Sequence, residues 1–141
     1  MKPVVVDASV WISAVDAGDP MHSSAADCLA ALGRRQIQIV VPRLARIEVA
    51  CALSRRFGSA EVSREVAAAL FDATFVIEED LDGVLSSRAV LLGTTTKLRG
   101  ADALYAAIAE REGAPLITLD RELLERSGAV SPGQWLTNEL A

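Results

Sequence analysis

Residues 3–9 read PVVVDAS, three valines in succession that lead directly into an aspartate and two small residues. Consecutive β-branched residues are typical of a strand that is buried on both faces of a parallel sheet. A carboxylate at the end of such a strand is costly to remove from water. Asp7 therefore needs a partner or a function that offsets this cost.

Along the rest of the chain, strand-type and helix-type apolar patterns alternate. Helix boundaries are marked by Pro42 and Gly58 around one segment and by Gly113 and Pro115 after another. Alternating strands and helices predict a three-layer α/β/α sandwich with a mostly parallel sheet, and no linker divides residues 1–141, so we expect a single domain. The predicted strands are 3–6, 37–41, 74–77 and 115–119, and the predicted helices are 9–15, 21–34, 43–57, 61–71, 81–92, 101–112 and a short one from Asp120. A weak terminal segment contains residues 130–136.

Composition limits the class of protein. The 141 residues carry a net charge of −5, which disfavours a protein that coats nucleic acid. The stretch between Cys28 and Ala60, however, contains six arginines and only one acidic residue. This excess of positive charge indicates either solvated helix ends or a basic rim beside an acidic centre. No apolar run approaches the roughly 20 residues of a membrane helix, and Asp7 interrupts any signal peptide, so we expect a cytoplasmic protein without membrane association. The cysteines, Cys28 and Cys51, lack metal-type spacing and are expected to be small buried side chains.

Three further acidic residues accompany Asp7. Glu48 shares a helical face with apolar neighbours, so it either reaches solvent or meets a counter-charge. Asp102 and Asp120 each stand near the start of a predicted helix, where an aspartate can serve simply as a cap. If strands 3–6 and 115–119 are neighbours, Asp7 and Asp120 face each other at the carboxyl edge of the sheet, where ligands gather in open α/β folds.

Convergence of the four acids would indicate a metal site. Carboxylates crowded into a partly dry site cannot all stay ionised without a cation. Oxygen ligands suit Mg²⁺ or Mn²⁺, which can polarise a phosphoryl oxygen and activate a water. His22 is the only histidine, so a Ser-His-Asp arrangement is not available, and the chain has no Gly-rich phosphate loop.

Four motifs in this order resemble the PIN domain, and more narrowly the VapC-type toxins of toxin–antitoxin pairs. They are VVVDASVWI (4–12), RIEVACAL (46–53), RGADALYAAIAERE (99–112) and LITLDREL (116–123). The resemblance implies a parallel sheet of about five strands, with the first and fourth adjacent. It also implies Mg²⁺- or Mn²⁺-dependent cleavage of RNA by an acidic quartet, Asp7, Glu48, Asp102 and Asp120.

The resemblance assigns roles within this quartet and around it. Asp7, Asp102 and Asp120 would hold one or two ions, and Glu48 would support the attacking water or complete a second site. Ser9 and Thr118 would orient the carboxylates. The family resemblance further implies a homodimer and a partner antitoxin whose tail enters the acidic groove. RNA binding normally depends on neutralising phosphates, so we expect basic residues near the rim to hold the RNA strand: Arg43, Arg46, Lys97 and Arg99.

Two alternatives remain open. One is a PIN-fold nuclease that acts in RNA maturation or on DNA without an antitoxin. The other is a catalytically silent interaction module in which the carboxylates only cap helices. An aspartyl phosphatase is disfavoured because Ser9 stands where that chemistry needs a second Asp, and a receiver domain because its acidic pair and late lysine are not evident.

Overall fold

A four-stranded parallel sheet organises the molecule. The computed structural model describes residues 2–140, and within them the sheet has the order β3-β2-β1-β4. Its strands are β1 (Val4–Val6), β2 (Ile39–Pro42), β3 (Val76–Glu79) and β4 (Leu116–Ile117). All residues of β1, β2 and β4 are buried, as expected for strands that are covered on both faces.

Helices flank this sheet and confirm the predicted α/β class. α6 packs on β1 and β2 and carries α5, whereas α1 packs against α2 and α3, and α3 against α4. The helices are α1 (Ala8–Val15), α2 (His22–Arg34), α3 (Arg43–Phe57), α4 (Ala60–Phe71), α5 (Gly83–Thr96), α6 (Gly100–Glu112), α7 (Arg121–Arg126) and α8 (Pro132–Leu140).

The sheet has four strands rather than the expected five or so. Beyond β4, Val130 forms only an isolated parallel bridge with Ile117. Gly128 adopts a positive φ of 72° and Pro132 begins α8, so three residues remain between them. Within this segment Val130 alone bridges to β4, so the pairing does not extend into a fifth strand.

Helix ends follow the predicted punctuation, with one exception. Gly58 and Gly113 end α3 and α6 in the left-handed conformation, at φ 76° and 59°, where a glycine has no steric cost. α5 continues four residues beyond its predicted end through three threonines of low helix propensity. The hydroxyls of these threonines, Thr94, Thr95 and Thr96, donate to carbonyls one turn back.

The strand order places the functional edge. From β1 the chain adds β2 and then β3 on one side, whereas β4 pairs with the other side of β1. The order therefore reverses between β1 and β4, and ligands bind at the carboxyl ends of strands at such a point. Val6 pairs with Ile117, which sets Asp7 and Thr118 at the same level of that edge. The predicted adjacency of the two strands is confirmed.

The described helices also bear on membrane association. None of those within residues 2–140 combines the length and the apolar character needed to cross a membrane. The cytoplasmic location stays a prediction.

Candidate active site

Asp7 is a buried carboxylate held by two hydroxyl groups. It directly follows β1 and is only 5% exposed. Ser9 Oγ donates to Asp7 Oδ2 at 2.6 Å, and Thr118 Oγ1 donates to the same oxygen at 2.9 Å. Burial raises the pKa of Asp7, and these hydrogen bonds oppose part of that rise. Ser9 and Thr118 thus contact the carboxylate that they were predicted to orient.

The same hydroxyls fix the segment that bears Asp120. The Leu119 amide donates to Ser9 Oγ at 3.0 Å, and the Asp120 amide donates to Thr118 Oγ1 at 2.9 Å. Asp120 caps α7 through Oδ1, which accepts from the Leu123 amide at 3.0 Å. Capping therefore uses one oxygen of Asp120, while the residue still lines the cavity described below.

Glu48 reaches the same edge from α3. Its Oε1 accepts a hydrogen bond of 2.9 Å from the hydroxyl of Tyr105 on α6. Burial raises the pKa of Glu48, and the charges of Asp7 and Asp102 raise it further. The alternative of a solvent-exposed Glu48 is not what the structure shows, because the side chain is half-buried and faces the acidic cavity.

Asp102 lies in the first turn of α6. Its pKa is raised to about 6, first by burial and then by the charges of Asp120 and Asp7, while the guanidinium of Arg99 acts in the opposite direction. Burial and mutual repulsion thus favour the protonated form of this carboxyl group, and a cation bound nearby would favour the ionised form.

The four predicted acids line one cavity of about 480 Å³. They come from four separate segments, namely the ends of β1 and β4 and the helices α3 and α6. The cavity is also lined by Ile12, Ile47, Cys51, Arg55 and Arg99 among others. Four acidic residues that are distant in sequence therefore line the same cavity.

The donor set fits a hard divalent cation. All four acidic groups offer oxygen ligands. Burial first and the neighbouring negative charges second raise the pKa values of Asp7, Glu48 and Asp102, and a bound cation would oppose this rise. Within residues 2–140, however, no three acidic, His or Cys side chains are already grouped closely enough to hold one ion together. Mg²⁺ commonly keeps several waters and takes only one or two carboxylates, so the fit lies in the donor chemistry rather than in a preformed cage.

The predicted basic residues divide into two groups. Arg99 lines the cavity with a side chain that is 74% exposed, and its guanidinium lies 3.8 Å from Asp102 and 3.9 Å from Asp120. Arg43 and Arg46 are not among the lining residues. Arg46 Nη2 lies 2.7 Å from both Glu78 and Asp72, and Arg43 pairs with Asp80 and Glu78. Lys97 is exposed and caps the end of α5.

Three lining or supporting residues were missed or misjudged from the sequence. Arg55 lies two turns after Glu48, and this spacing could have placed it on the same helix face. Cys51 was expected to be buried, but it is exposed, because this face of α3 looks into the cavity rather than onto the sheet. Tyr105, which donates to Glu48, was missed, although its position one turn after Asp102 could have placed it on the same face of the helix.

The family model of the PIN domain matches residues 4–128, which is most of the chain. The chain belongs to the PIN domain family. PIN-domain nucleases generally use divalent metal ions, in agreement with the donor set above. No curated protein sequence matches the chain.

Solved structures share this PIN-domain fold. A sarcin-ricin-loop-cleaving VapC toxin of Mycobacterium tuberculosis superposes with a TM-score of 0.72 at 22% identity, over 86% of this chain and 93% of that one. A toxin–antitoxin complex from Klebsiella pneumoniae gives 0.68 at 19% identity, over 92% and 97% of the two chains. A VapBC complex of Rickettsia felis, bound to a DNA fragment from its promoter, gives 0.68 at 14% identity, over 91% and 96%. At these identities the similarity establishes the fold.

Proposed function

We propose that this protein is a Mg²⁺- or Mn²⁺-dependent endoribonuclease that acts as the toxin of a type II toxin–antitoxin pair. One observation carries the proposal. Four carboxylates from distant segments line a single cavity at the edge where the strand order reverses, and the pKa values of Asp7, Glu48 and Asp102 are raised there. PIN-family membership makes nuclease chemistry the natural use of such a site.

Asp7, Asp102 and Asp120 are the proposed metal ligands. A bound divalent ion would supply positive charge that polarises a phosphate oxygen and lowers the pKa of a water. Asp7 suits this role because Ser9 and Thr118 fix its carboxylate before anything binds. The Asp120 carboxylate is fixed likewise by its cap hydrogen bond to α7.

Glu48 is proposed to accept the proton of the attacking water, and its negative charge, which acts together with those of Asp7 and Asp102, is proposed to strengthen the attraction of the cavity for the cation. Oε1 is engaged by Tyr105, so Oε2 is the atom available for that proton. The raised pKa of Glu48 brings its proton affinity closer to that required of a general base near neutral pH. Ser9 and Thr118 act on the neighbouring Asp7 rather than on Glu48.

RNA would approach over the exposed arginines of the cavity. Arg99 and Arg55 line it and can contact phosphates next to the scissile bond. Arg43 and Arg46 do not line the cavity, so they would contact RNA only where the strand extends beyond it, and only in exchange for their ion pairs with Asp72, Glu78 and Asp80. Local arginines thus compensate for the acidic net charge of the chain.

An antitoxin is the proposed protein partner, and a homodimer of single-domain chains the proposed assembly. The Klebsiella and Rickettsia structures with this fold are toxin–antitoxin assemblies, which supports a partner of the same kind here. Growth arrest on expression in bacteria by the native chain, but not by Asp102→Asn, is the expected behaviour of a toxin. Equal growth with both chains would contradict the toxin role.

The nuclease activity is tested by cleavage of labelled RNA with Mg²⁺, with Mn²⁺ and with EDTA. The expected result is cleavage with either metal, loss with EDTA and loss in Asp102→Asn. Glu110→Gln is the matched control, because Glu110 lies on the same helix but pairs with Arg88 and does not line the cavity. Undiminished cleavage in EDTA or by Asp102→Asn would overturn the proposal.

A further inference from the structure

Tyr105 connects two elements of the site through one hydrogen bond. It is the only tyrosine in the chain and is fully buried within α6. Its hydroxyl donates to Oε1 of Glu48 on α3 at 2.9 Å, across 57 positions of sequence. No second hydrogen bond to the Glu48 carboxylate is found among the described residues.

Packing alone does not require this hydroxyl. A phenylalanine would fill the same apolar volume, and a buried polar group is costly unless it is hydrogen-bonded. The hydroxyl is satisfied by a carboxylate that lines the acidic cavity rather than by a backbone carbonyl of the core. The backbone amide of Ala8, the residue after Asp7, also contacts this hydroxyl. Both polar neighbours of the hydroxyl therefore belong to the acidic site or border it.

The hydroxyl acts as a permanent donor. Burial raises the pKa of the Tyr105 phenol, and the charges of Glu48 and Asp7 raise it further. The proton accordingly stays on the phenol oxygen, and Glu48 is always the acceptor. A donor of this kind holds one carboxylate oxygen in place without competing for a cation.

The placement of Tyr105 on α6 links it to the metal-binding side of the cavity. Asp102 lies one turn earlier on the same helix, and residues three apart share a helix face. One rigid helix thus carries a proposed metal ligand and the group that fixes Glu48. α6 and the hydrogen bond between Tyr105 and Glu48 therefore restrict the distance between Asp102 and Glu48.

We propose that Tyr105 is a positioning residue, which holds Glu48 by Oε1 and leaves Oε2 for the group bound in the cavity. The inference rests on the proposed metal-dependent function. It assigns to this chain a supporting residue outside the acidic quartet, with a role that is separable from folding.

Substitution tests this role against a purely structural one. Tyr105→Phe keeps the ring and removes the donor, and Ile108→Val, one turn later and equally buried, is the control for core packing. We expect Tyr105→Phe to need roughly tenfold more Mn²⁺ for the half-maximal rise in melting temperature and to cleave RNA with a lower kcat at unchanged KM. Ile108→Val should need the native Mn²⁺ concentration. A Tyr105→Phe protein with the native Mn²⁺ requirement would overturn the inference.

A double-mutant cycle shows whether Tyr105 acts through Glu48. In a Glu48→Ala background, Tyr105→Phe should add no further change in the Mn²⁺ requirement, because the carboxylate that the hydroxyl holds is gone. Additive changes in the two variants would contradict the proposed route.

Spectroscopy tests the same contact without altering the fold. Because Tyr105 is the only tyrosine, 3-fluorotyrosine labels this position alone. Titration with Mg²⁺ should shift the fluorine resonance in the native protein and leave it unshifted in Glu48→Ala. Equal shifts in both proteins would overturn the inference. If neither Mg²⁺ nor Mn²⁺ affects the native protein by any readout, the proposed function fails; a native response that Tyr105→Phe shares removes only the positioning role.

Discussion

The hydroxyl of Thr118 lies 2.9 Å from the Asp7 carboxylate, although 111 positions separate the two residues. This hydrogen bond joins the carboxyl ends of β1 and β4, and Thr118 Oγ1 in turn accepts from the Asp120 amide. One side chain, fully buried, thus connects two of the four acids. The positions of Asp7 and Asp120 are therefore fixed by buried hydrogen bonds between β1 and β4, and not by surface contacts alone.

Thr118→Val tests this connection. Valine keeps the shape but leaves the Asp120 amide without its acceptor and Asp7 without a donor. We expect a loss of about 1–3 kcal/mol in the free energy of unfolding and a roughly tenfold to hundredfold weaker response to Mn²⁺. Urea unfolding and Mn²⁺-dependent melting measure the two effects. An unchanged Mn²⁺ response would show that the hydroxyl does not orient Asp7 for a cation.

Asp7→Asn should separate activity from stability. The substitution removes a charge that is costly to bury, so the metal-free protein should unfold at a slightly higher urea concentration than the native protein. RNA cleavage should fall by at least about a hundredfold, because a proposed metal ligand is lost. Asp27→Asn, which changes an acidic residue of α2 outside the cavity, is the control. Native rates of cleavage in Asp7→Asn would contradict the assignment.

The pH dependence of stability should report on Asp102. Its pKa is raised from 3.8 to about 6 in the folded protein. The folded state then binds more protons than the unfolded state within that interval, so the contribution of Asp102 to stability falls as the pH rises from about 4 to about 6. The free energy of unfolding of the metal-free native protein, less that of Asp102→Asn, should decrease across this range. Parallel pH curves for the two proteins would refute the shift.

Arg99→Gln should affect metal and RNA in opposite directions. The guanidinium lies within 4 Å of Asp102, Asp120 and Glu122, so its charge repels a cation in the cavity. Its removal should lower the Mn²⁺ concentration for half-maximal stabilisation by roughly twofold to fivefold, as expected for exposed charges. RNA affinity should fall and become less salt-dependent. The control, Arg88→Gln, removes an arginine that does not line the cavity. Equal Mn²⁺ requirements in both variants would contradict the repulsion.

Much of the fold could be predicted because local patterns and packing agree. The valines of β1 predicted a doubly buried strand, and Pro42 with Gly58 fixed the ends of α3 to the residue. The end of α5 could not be predicted, because Thr94, Thr95 and Thr96 have poor helix propensity and nevertheless remain helical, with their hydroxyls bonded to carbonyls one turn back. The number of strands could not be predicted either, because the segment beside β4 pairs with Ile117 only through Val130.

The cost of burying a charge drew attention to Asp7 after its strand and to Glu48 within an apolar helix face, whereas Asp102 and Asp120 were selected by the motifs that resemble the PIN domain. The catalytic role of all four stays a prediction. Surface arginines carry no such burial cost. Arg43 and Arg46 pair with Glu78, Asp72 and Asp80, acids that β3 and its flanking loops bring close in space but not in sequence. These ion pairs depend on how α3 packs against β3 in the folded chain, so they could not be predicted from the sequence around the two arginines.

Diffraction from crystals soaked in Mn²⁺, recorded at the manganese absorption edge, tests the central claim most directly. We expect an anomalous peak in the acidic cavity, with carboxylate oxygens of Asp7 and Asp102 about 2 Å from it. The same soak of Asp7→Asn should give no peak there. A native cavity without anomalous signal at millimolar Mn²⁺, or a peak bound only by other residues, would contradict the account.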